Sequence, residues 1–332
     1  MTSKRPRSSF IPIIAITAFL GLLSDPAVGQ SILRISAKDF SGEIGGCIKD
    51  AKKEEISCLQ PDKAFPLQSV MKLIVSAVVF DLHDQGKIDI KAKMTLTPDD
   101  ISPGPRTLAT KIIASRTLDL SVEDLIRNSV IESDSTSIDV LLKRIGGPKT
   151  VKEFLTKHDL KGIHIDRNER DLQAESAGLK WIPKFTDLDL FETHISALPV
   201  AVQKDAYTKY LSDKRDTSTP RAMIRFLDLL ANGRLLSQQS TKHLVSIGGE
   251  TITGKDRLPF ATPSNWRLSH KTGTGRKFQG FTSAINDVGI FYAPNKNIYL
   301  AAVFIKNSSA DSTAVSKVFS RFVQEILKEE NP

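Results

Sequence analysis

The segment Leu73–Leu82 is apolar on nearly every face of a helix, which predicts a helix buried all round. Gly86 is a suitable residue to end it. Ser69 and Lys72 stand at its start, and residues three apart share a helix face. Burial disfavours the ammonium form of a lysine, so Lys72 could take a proton from the neighbouring hydroxyl. The pattern predicts a nucleophilic serine, although a chance Ser and Lys on a core helix would look the same.

Downstream, the middle of the chain has helical spacing, and its last part alternates as strands do. The segment Lys87–Arg116 is broken by prolines and is expected to be irregular. Helices are expected at 121–130, from 136 to the Gly-Gly-Pro at 146–148, and at 150–158, 220–230, 237–245 and 311–328, with a weaker one at 31–40. Strands are expected at 45–49, 56–60, 266–270, 280–285, 288–292 and 299–306.

This order of elements predicts an α/β fold, in which a sheet is covered by helices from both termini and carries an all-helical insert. We place the sheet lobe at residues 30–62 and 246–332, and the all-helical lobe at residues 63–245. About 300 residues can bury a sizeable core as one or two lobes.

The first residues have the pattern of a targeting segment. Lys4, Arg5 and Arg7 precede the apolar run Phe10–Leu23, and small residues end at Gly29. This order predicts a secretory signal peptide, residues 1–29, cut after Gly29. An uncleaved anchor is the alternative, although the run is short for a membrane span. We therefore expect a periplasmic or secreted protein with no stable membrane span after cleavage.

The two cysteines fit that location. Cys47 and Cys58 flank a segment that folds symmetrically about Lys52–Lys53 as a hairpin, which would place them directly across from each other. In an oxidising compartment this predicts a disulfide, with two reduced core thiols as the alternative.

Charge and composition narrow the possible partners. The chain has 46 Lys and Arg against 38 Asp and Glu, a formal net charge of +8. These charges are interspersed, which indicates a solvated surface, so we expect no nucleic-acid partner. No zinc or iron–sulfur spacing occurs among the two cysteines and six histidines, so we expect no metal and no cofactor.

Three further polar groups join Ser69 and Lys72 as candidates. Ser133–Ser135 lies in a break between two helices, where it could point into a cleft or simply cap a helix. His270–Gly275 ends a strand with two glycines that keep the edge open, or forms a plain turn. Asp166–Glu169 offers an acid in a loop, for which a surface charge is the alternative.

In this order the groups resemble the class A β-lactamases, whose signature is Ser-x-x-Lys, Ser-Asp-Asn, an Ω-loop glutamate and Lys-Thr-Gly. Ser69 to Lys72 and Lys271 to Gly273 match that signature fully, and Glu169 matches the glutamate. Supporting matches are Gly146–Pro148, Arg215–Pro220 and Ala284–Gly289. The resemblance runs from about Gly45 to the C-terminus, and it implies a β-lactamase/transpeptidase-like fold with an antiparallel sheet.

The resemblance implies acyl transfer through a serine acyl-enzyme. Ser69 would attack the lactam carbonyl after Lys72, or Glu169 acting through a water, takes its proton. The backbone N–H groups of Ser69 and Thr274 would form the oxyanion hole. Ser133 would pass a proton to the departing nitrogen, and Glu169 would then activate the water that releases the product.

The resemblance also implies where a substrate is held. Lys271 and Thr272, beside Gly273, would hold its carboxylate, and Arg257 fits one place where family members add an arginine. A surface arginine is the alternative for that residue. Ser135 and Gln173 replace two asparagines, one that contacts the substrate side chain and one that helps hold the deacylating water.

Several departures from the family matter for function. The Ser135 side chain is shorter than that of asparagine, and its single hydroxyl cannot replace the separate donor and acceptor groups with which an amide would contact the substrate side chain and the lysine. Arg170 follows Glu169 where proline is usual, so we expect this loop to be built differently. The connection from Glu169 to Asp216 is roughly thirty residues longer than the family's Ω loop, and so long a connection usually has a function or its own structure.

The extra residues form an insertion at about 174–212. They include Trp181, Phe185 and Phe191, which are too apolar for a solvated loop. We predict at least one helix within Asp187–Ser212, packed beside the site. A peripheral decoration is the alternative.

The sequence therefore predicts a monomeric serine β-lactamase that hydrolyses penicillins or cephalosporins. Two alternatives stay open. One is a relative that acts on esters or peptidoglycan stem peptides, against which Glu169 argues. The other is a β-lactam-binding sensor that acylates without turnover, with which the substitutions around Glu169 are compatible.

Overall fold

The strands and helices come from a computed structural model that describes residues 40–330. The strands are β1 Glu43–Asp50, β2 Ser57–Leu59, β3 Phe65–Pro66, β4 Lys93–Leu96, β5 Leu118–Ser121, β6 Thr217–Ser218, β7 Arg267–Thr274, β8 Lys277–Phe278, β9 Phe281–Tyr292 and β10 Ile298–Ser308. The helices are α1 Met71–Asp84, α2 Thr107–Ser115, α3 Val122–Ile131, α4 Ser135–Ile145, α5 Pro148–Lys157, α6 Glu169–Ser176, α7 Leu188–Ala197, α8 Val200–Ser212, α9 Pro220–Ala231, α10 Gln238–Gly249, α11 Leu258–Ala261 and α12 Ser312–Glu330. Short 3-10 turns form at Gln68–Val70, Pro98–Asp100 and Pro183–Thr186.

The centre of the molecule is an antiparallel sheet in the order β2-β1-β10-β9-β7, with β8 paired to β9. Alternate residues of β10 belong to two different apolar clusters, as the period of a strand requires. Leu300, Ala302 and Phe304 join the cluster shared with α1, whereas Ala301 and Val303 join the cluster shared with α12. Helices therefore cover both faces of the sheet.

The α/β class and the antiparallel sheet are confirmed. The helix expected at 31–40 and the signal segment lie outside the described residues, apart from Phe40. The division into two lobes stays a proposal, because α9 and α10 pack against the sheet as well as against helices. In residues 40–330, no helix combines the length and the apolar character that crossing a membrane needs.

Helix α1 is buried as its sequence predicts. Every side chain from Met71 to Phe80 is buried, and Gly86 follows the helix with a positive φ of 70°. Ser69 does not belong to the α-helix itself but to the 3-10 turn Gln68–Val70 that leads into it. The nucleophile candidate thus sits where strand β3 turns into the core helix.

The capping pattern at Ser121 is also confirmed. Its hydroxyl accepts a hydrogen bond from the backbone N–H of Asp124, and the Asp124 carboxylate accepts one from the Ser121 backbone. The strands expected at 280–285 and 288–292 form one continuous strand, β9.

The prediction for Lys87–Arg116 was wrong. The segment contains strand β4, which pairs with the later strand β5, and helix α2, which buries Leu108 and Ile112. Prolines confined to the turns between these elements do not prevent either of them. A strand whose partner is distant in sequence gives no local signal.

The hairpin and its disulfide are confirmed. Cys47 and Cys58 are register partners of β1 and β2 and are bonded to each other. The bond closes a short loop, because the two residues are 11 positions apart. It fastens β2, the edge strand, to the body of the sheet.

Reducing this bond should lower the free energy of unfolding by about 3 kcal/mol, the loop-closure term for a loop of this length. Urea unfolding with and without a thiol reductant measures the effect. The double variant Cys47→Ala/Cys58→Ala is the control and should not respond to reductant. An equal response of both proteins would contradict a stabilising disulfide.

Candidate active site

Ser69 lies where strand β7, at the opposite edge of the sheet from β2, meets the turn that leads into helix α1. A Cβ atom at Gly273 would lie 2.5 Å from the carbonyl oxygen of Leu67, so only glycine lets β7 approach this closely. Asn286 of β9 donates from Nδ2 to the carbonyls of Pro66, at 2.7 Å, and Leu67, at 3.1 Å. The end of β7 is therefore held beside the nucleophile candidate.

Lys72 is fully buried, as predicted. Its Nζ donates to the carbonyl oxygen of Ser133 at 2.6 Å and to the hydroxyl of Ser135 at 3.1 Å. It also lies 3.1 Å from Oε1 of Glu169, which is 1% exposed. The lysine thus joins three elements that are distant in sequence.

Residues 133–135 are both a helix cap and part of the site. Asp134 is the N-cap of α4, and its Oδ1 accepts from the backbone N–H of Ser137 at 2.7 Å. Ser133 has a left-handed backbone, with φ of 62°. Its carbonyl contacts Lys72, and its hydroxyl accepts from Lys271 Nζ at 2.9 Å. Asp134 therefore caps the helix, while Ser133 contacts both lysines and Ser135 contacts Lys72.

Lys271 is fully buried in β7. Burial, and then the nearby charge of Lys72, lower the pKa of Lys271 well below its usual range. Its neighbour Thr272 shares a 2.6 Å hydrogen bond with the hydroxyl of Thr253. The predicted convergence of Lys271 on the Ser133 hydroxyl is present in the structure.

Arg257 lines the cleft but is nearly buried. Its guanidinium donates to the carbonyls of Gly273, at 3.0 Å, and Asn286, at 2.6 Å, and to the hydroxyl of Thr274. These contacts make Arg257 a brace for the end of β7. Its predicted contact with a substrate carboxylate stays a prediction.

Glu169 is the first residue of α6, directly after the N-cap Asn168. The loop before it is closed by an ion pair between Arg167 and Asp216, whose carboxylate also accepts from the backbone of Asp166 at 2.7 Å. The two ends of the long connection are therefore adjacent. This is why an insertion can lie between them without displacing Glu169.

The backbone of Glu169 is held by a residue that the sequence reasoning did not single out. Asp139 of α4 accepts from the N–H of Glu169 at 2.7 Å and from the N–H of Arg170 at 3.1 Å. Its Oδ2 also accepts from the Ser102 hydroxyl at 2.7 Å. Burial, and then the charge of Glu169, raise the pKa of Asp139 to about 6. The start of α6 is thus fixed by a buried carboxyl group.

Arg170, which stands where proline is usual in the class A β-lactamases, makes contacts that a proline could not make. The Glu169–Arg170 peptide bond is trans, and the guanidinium donates to the carbonyl of Ile101 and to the hydroxyl of Ser102. The guanidinium also lies 5.2 Å from the ring centre of Trp181. Arg170 therefore connects α6 to the Pro98–Ile101 region and to the insertion.

Gln173 lies one turn after Glu169 and contacts its carboxylate. Its Nε2 donates to Glu169 Oε2 at 3.0 Å and to Gln68 Oε1 at 3.3 Å. Gln68 in turn donates from Nε2 to the hydroxyl of Tyr210. Sequence reasoning missed Gln68 and Tyr210, and the only available signal for Gln68 was its position before Ser69.

The insertion contains two helices, α7 and α8, so the helix prediction is confirmed. Phe185, Phe191 and Ile195 form a separate apolar cluster with Ala174 and Ala177, and Trp181 packs against it. The insertion also contacts a residue of the cleft, because Glu192 of α7 pairs with Arg276 at 2.9 Å. Arg276, which follows Gly275, was another residue that sequence reasoning missed.

Most of the predicted site residues surround one cleft of about 310 Å³. Its walls are Ser69, Gly104, Pro105, Glu132, Ser133, Ser135, Gln173, Thr253, Gly254, Arg257, Thr272, Thr274, Gly275 and Arg276. Lys72, Glu169 and Lys271 lie buried in contact with these residues. Between residues 40 and 330, no three His, Cys, Asp or Glu side chains are grouped so that they could hold a metal ion.

Comparison with known sequences identifies relatives over nearly the whole chain. A model of the β-lactamase enzyme family matches residues 27–329. β-Lactamase VEB-1 of Pseudomonas aeruginosa is 29% identical over 293 residues, which cover 88% of this chain and 85% of that protein. Extended-spectrum β-lactamase PER-1 of Pseudomonas aeruginosa is 25% identical over 80% of this chain and 75% of that protein.

Solved structures share the fold. A β-lactamase from Chitinophaga pinensis has a TM-score of 0.74 at 23% identity, over 92% of this chain and 100% of that one. TLA-1 extended-spectrum β-lactamase has a TM-score of 0.75 at 22% identity, over 92% and 99%.

The raised pKa of Asp139 makes stability depend on pH. Between pH 4 and pH 6 the folded state binds more protons at this group than the unfolded state, so stability falls as the pH rises. Asp139→Asn removes that fall. From pH 4 to pH 7, the variant should therefore gain about 2 kcal/mol in free energy of unfolding relative to the natural protein, whatever its constant offset.

Urea unfolding at several pH values measures this difference. Asp124→Asn is a matched control, because the Ser121 side chain holds the pKa of Asp124 below its usual range. The difference in free energy of unfolding between Asp124→Asn and the natural protein should not change with pH above pH 5. If the difference for Asp139→Asn were also independent of pH, the raised pKa of Asp139 would be contradicted.

Proposed function

Because the chain belongs to the β-lactamase enzyme family, we propose that it is a serine β-lactamase that opens the lactam ring of penicillins and cephalosporins through an acyl-enzyme. The observation that carries this proposal is the contact of Lys72 Nζ with Glu169 Oε1, 3.1 Å apart and buried beside the serine turn. This contact supports a mechanism with two proton acceptors, Lys72 for acylation and Glu169 for deacylation.

Acylation begins at Ser69. Its proton passes to Lys72, or to Glu169 through a water, and its oxygen forms a bond with the lactam carbonyl carbon. The backbone N–H groups of Ser69 and Thr274 stabilise the negative charge on the carbonyl oxygen. The close approach of Gly273 to Leu67 supports this pairing, because it holds β7 against the serine turn.

Ring opening needs a proton on the departing nitrogen. When the carbon–nitrogen bond breaks, Ser133 donates its proton to the nitrogen and is resupplied from the lysines. The hydroxyl of Ser133 already accepts a hydrogen bond from Lys271. Lys271 and Thr272 also provide the positive charge and the hydroxyl that hold the substrate carboxylate.

Deacylation depends on Glu169. Its Oε2 accepts a hydrogen bond from Gln173, whereas Oε1 faces Lys72 Nζ at 3.1 Å as an ion pair and accepts no hydrogen bond with good geometry from residues 40–330. Oε1 is therefore the atom suited to take a proton from water, whose oxygen then attacks the ester carbonyl. The carbon–oxygen bond to Ser69 then breaks, and the proton held by Glu169 passes to the Ser69 oxygen, which restores the free hydroxyl and the carboxylate.

We further propose export to the periplasm or the exterior, action as a monomer, and no cofactor. The basic and apolar N-terminal pattern and the Cys47–Cys58 bond support export. Two other functions would use the same serine: a sensor that acylates without turnover, and an esterase or peptidoglycan hydrolase. The Lys72–Glu169 contact favours turnover over both.

Removing Glu169 should stop the second half-reaction only. Glu169→Ala should accumulate an adduct whose mass equals the protein plus one intact penicillin, and steady turnover should fall by about a thousandfold or more. Intact-protein mass spectrometry and hydrolysis of a chromogenic cephalosporin measure the two effects.

Ser69→Ala is the control and should show neither adduct nor turnover. A single burst from the natural protein would indicate the sensor. Ester cleavage without β-lactam reaction would indicate the esterase, and either result would overturn the proposed function.

A further inference from the structure

The insertion reaches the buried side of the active site through helix α8. Tyr210, near the end of α8, is 5% exposed, and its hydroxyl contacts Gln68, the residue before Ser69. Gln68 is also buried and has a left-handed backbone, with φ of 49°. Neither residue lines the substrate cleft. The Tyr210–Gln68 contact can therefore affect the catalytic groups through Gln173, but it does not touch a substrate in the cleft.

The charge of Glu169 sets the direction of each hydrogen bond in this series. A carboxylate only accepts, so Gln173 must turn its NH₂ group toward Glu169 Oε2. The same nitrogen donates to Gln68 Oε1, so Gln68 must turn its own nitrogen toward Tyr210. The phenol oxygen is then the required acceptor at the end of the series.

This series determines how Gln173 meets the water that deacylation needs. With its nitrogen committed to Glu169 and Gln68, the carbonyl oxygen of Gln173 is the end of the amide left for the cleft, which this residue lines. If the Tyr210 hydroxyl were removed, the Gln68 NH₂ group would lose its acceptor, and the Gln68 amide would no longer be held with its oxygen toward Gln173. The orientation of Gln173 beside Glu169 would then be lost.

We propose that Tyr210, supplied by the insertion, is a positioning residue for hydrolysis of the acyl-enzyme, acting through Gln68 and Gln173 on Glu169. This inference rests on the proposed role of Glu169. It gives the insertion a part in the reaction, in place of a peripheral decoration.

Tyr207 offers a matched control on the same helix. It is nearly as buried as Tyr210, and its hydroxyl donates to Asn307 of β10 at 3.0 Å. Its ring also packs against Phe278 of β8. Removing either hydroxyl takes one hydrogen bond from α8, but only Tyr210 contacts Gln68.

The test measures acylation and deacylation separately in the full-length protein. A chromogenic cephalosporin gives kcat and KM, and intact mass follows the decay of the acyl-enzyme after the substrate is consumed. Tyr210→Phe should slow that decay by about tenfold, within the roughly hundredfold that misplacement of a reacting group costs. Because only deacylation changes, kcat and KM should fall together and kcat/KM should stay constant.

Tyr207→Phe should keep the natural rate of decay. Gln68→Met should slow decay as Tyr210→Phe does, and the double variant should be no slower than either one, because both changes break the same series. If Tyr210→Phe does not fold, Gln68→Met carries the test alone.

The inference is overturned if the acyl-enzyme of Tyr210→Phe, or of Gln68→Met, decays at the rate of the natural protein. It is also overturned if Tyr207→Phe slows this decay as much as Tyr210→Phe does. Failure of the natural protein to turn over any β-lactam overturns the proposed function instead.

Discussion

The structure of the site depends on satisfying the buried amino group of Lys72. Its Nζ donates hydrogen bonds to the Ser133 carbonyl and the Ser135 hydroxyl, and it forms an ion pair with the Glu169 carboxylate at 3.1 Å. Burying such a pair costs on the order of several kcal/mol per ion unless its remaining hydrogen bonds are made. Helix α1, the turn before α4 and the start of α6 must therefore be placed together. Ser133 has a left-handed backbone where its carbonyl meets Lys72, and Asp139 holds the backbone of Glu169 on the other side of the lysine.

The insertion is tolerated because its ends are fixed independently of its length. The Arg167–Asp216 ion pair closes the loop at its base. The entropic cost of closing a loop rises by only about 0.6 kcal/mol for each doubling of its length. Within the loop, the cluster of Phe185, Phe191 and Ile195 gives the extra helices a core of their own. The insertion thus contacts the site on both sides, at Gln68 and at Arg276, and also contributes Leu188 of α7 to the main core.

The sequence was informative where local pattern or a motif carries the signal. The burial of Lys72, the cap at Ser121, the hairpin disulfide and the convergence of Lys271 on Ser133 could all be predicted. The contacts of Asp139, Tyr210 and Arg276 could not, because each joins elements that are distant in sequence and has no spacing of its own. For the same reason β4, whose partner strand comes later in the chain, was mistaken for irregular structure. The roles of the individual site residues remain predictions that kinetics must test.

The adjacency of Arg167 and Asp216 has a consequence for engineering. Two chain positions held side by side by a buried ion pair let the segment between them change in length at little entropic cost. Glu169 and Gln173 lie within that segment and would have to be kept, so the exchangeable part is the stretch that follows α6. A replacement for that stretch would need to return an oxygen acceptor to the Gln68 amide, and the rate of deacylation would then be tuned by residues outside the substrate cleft.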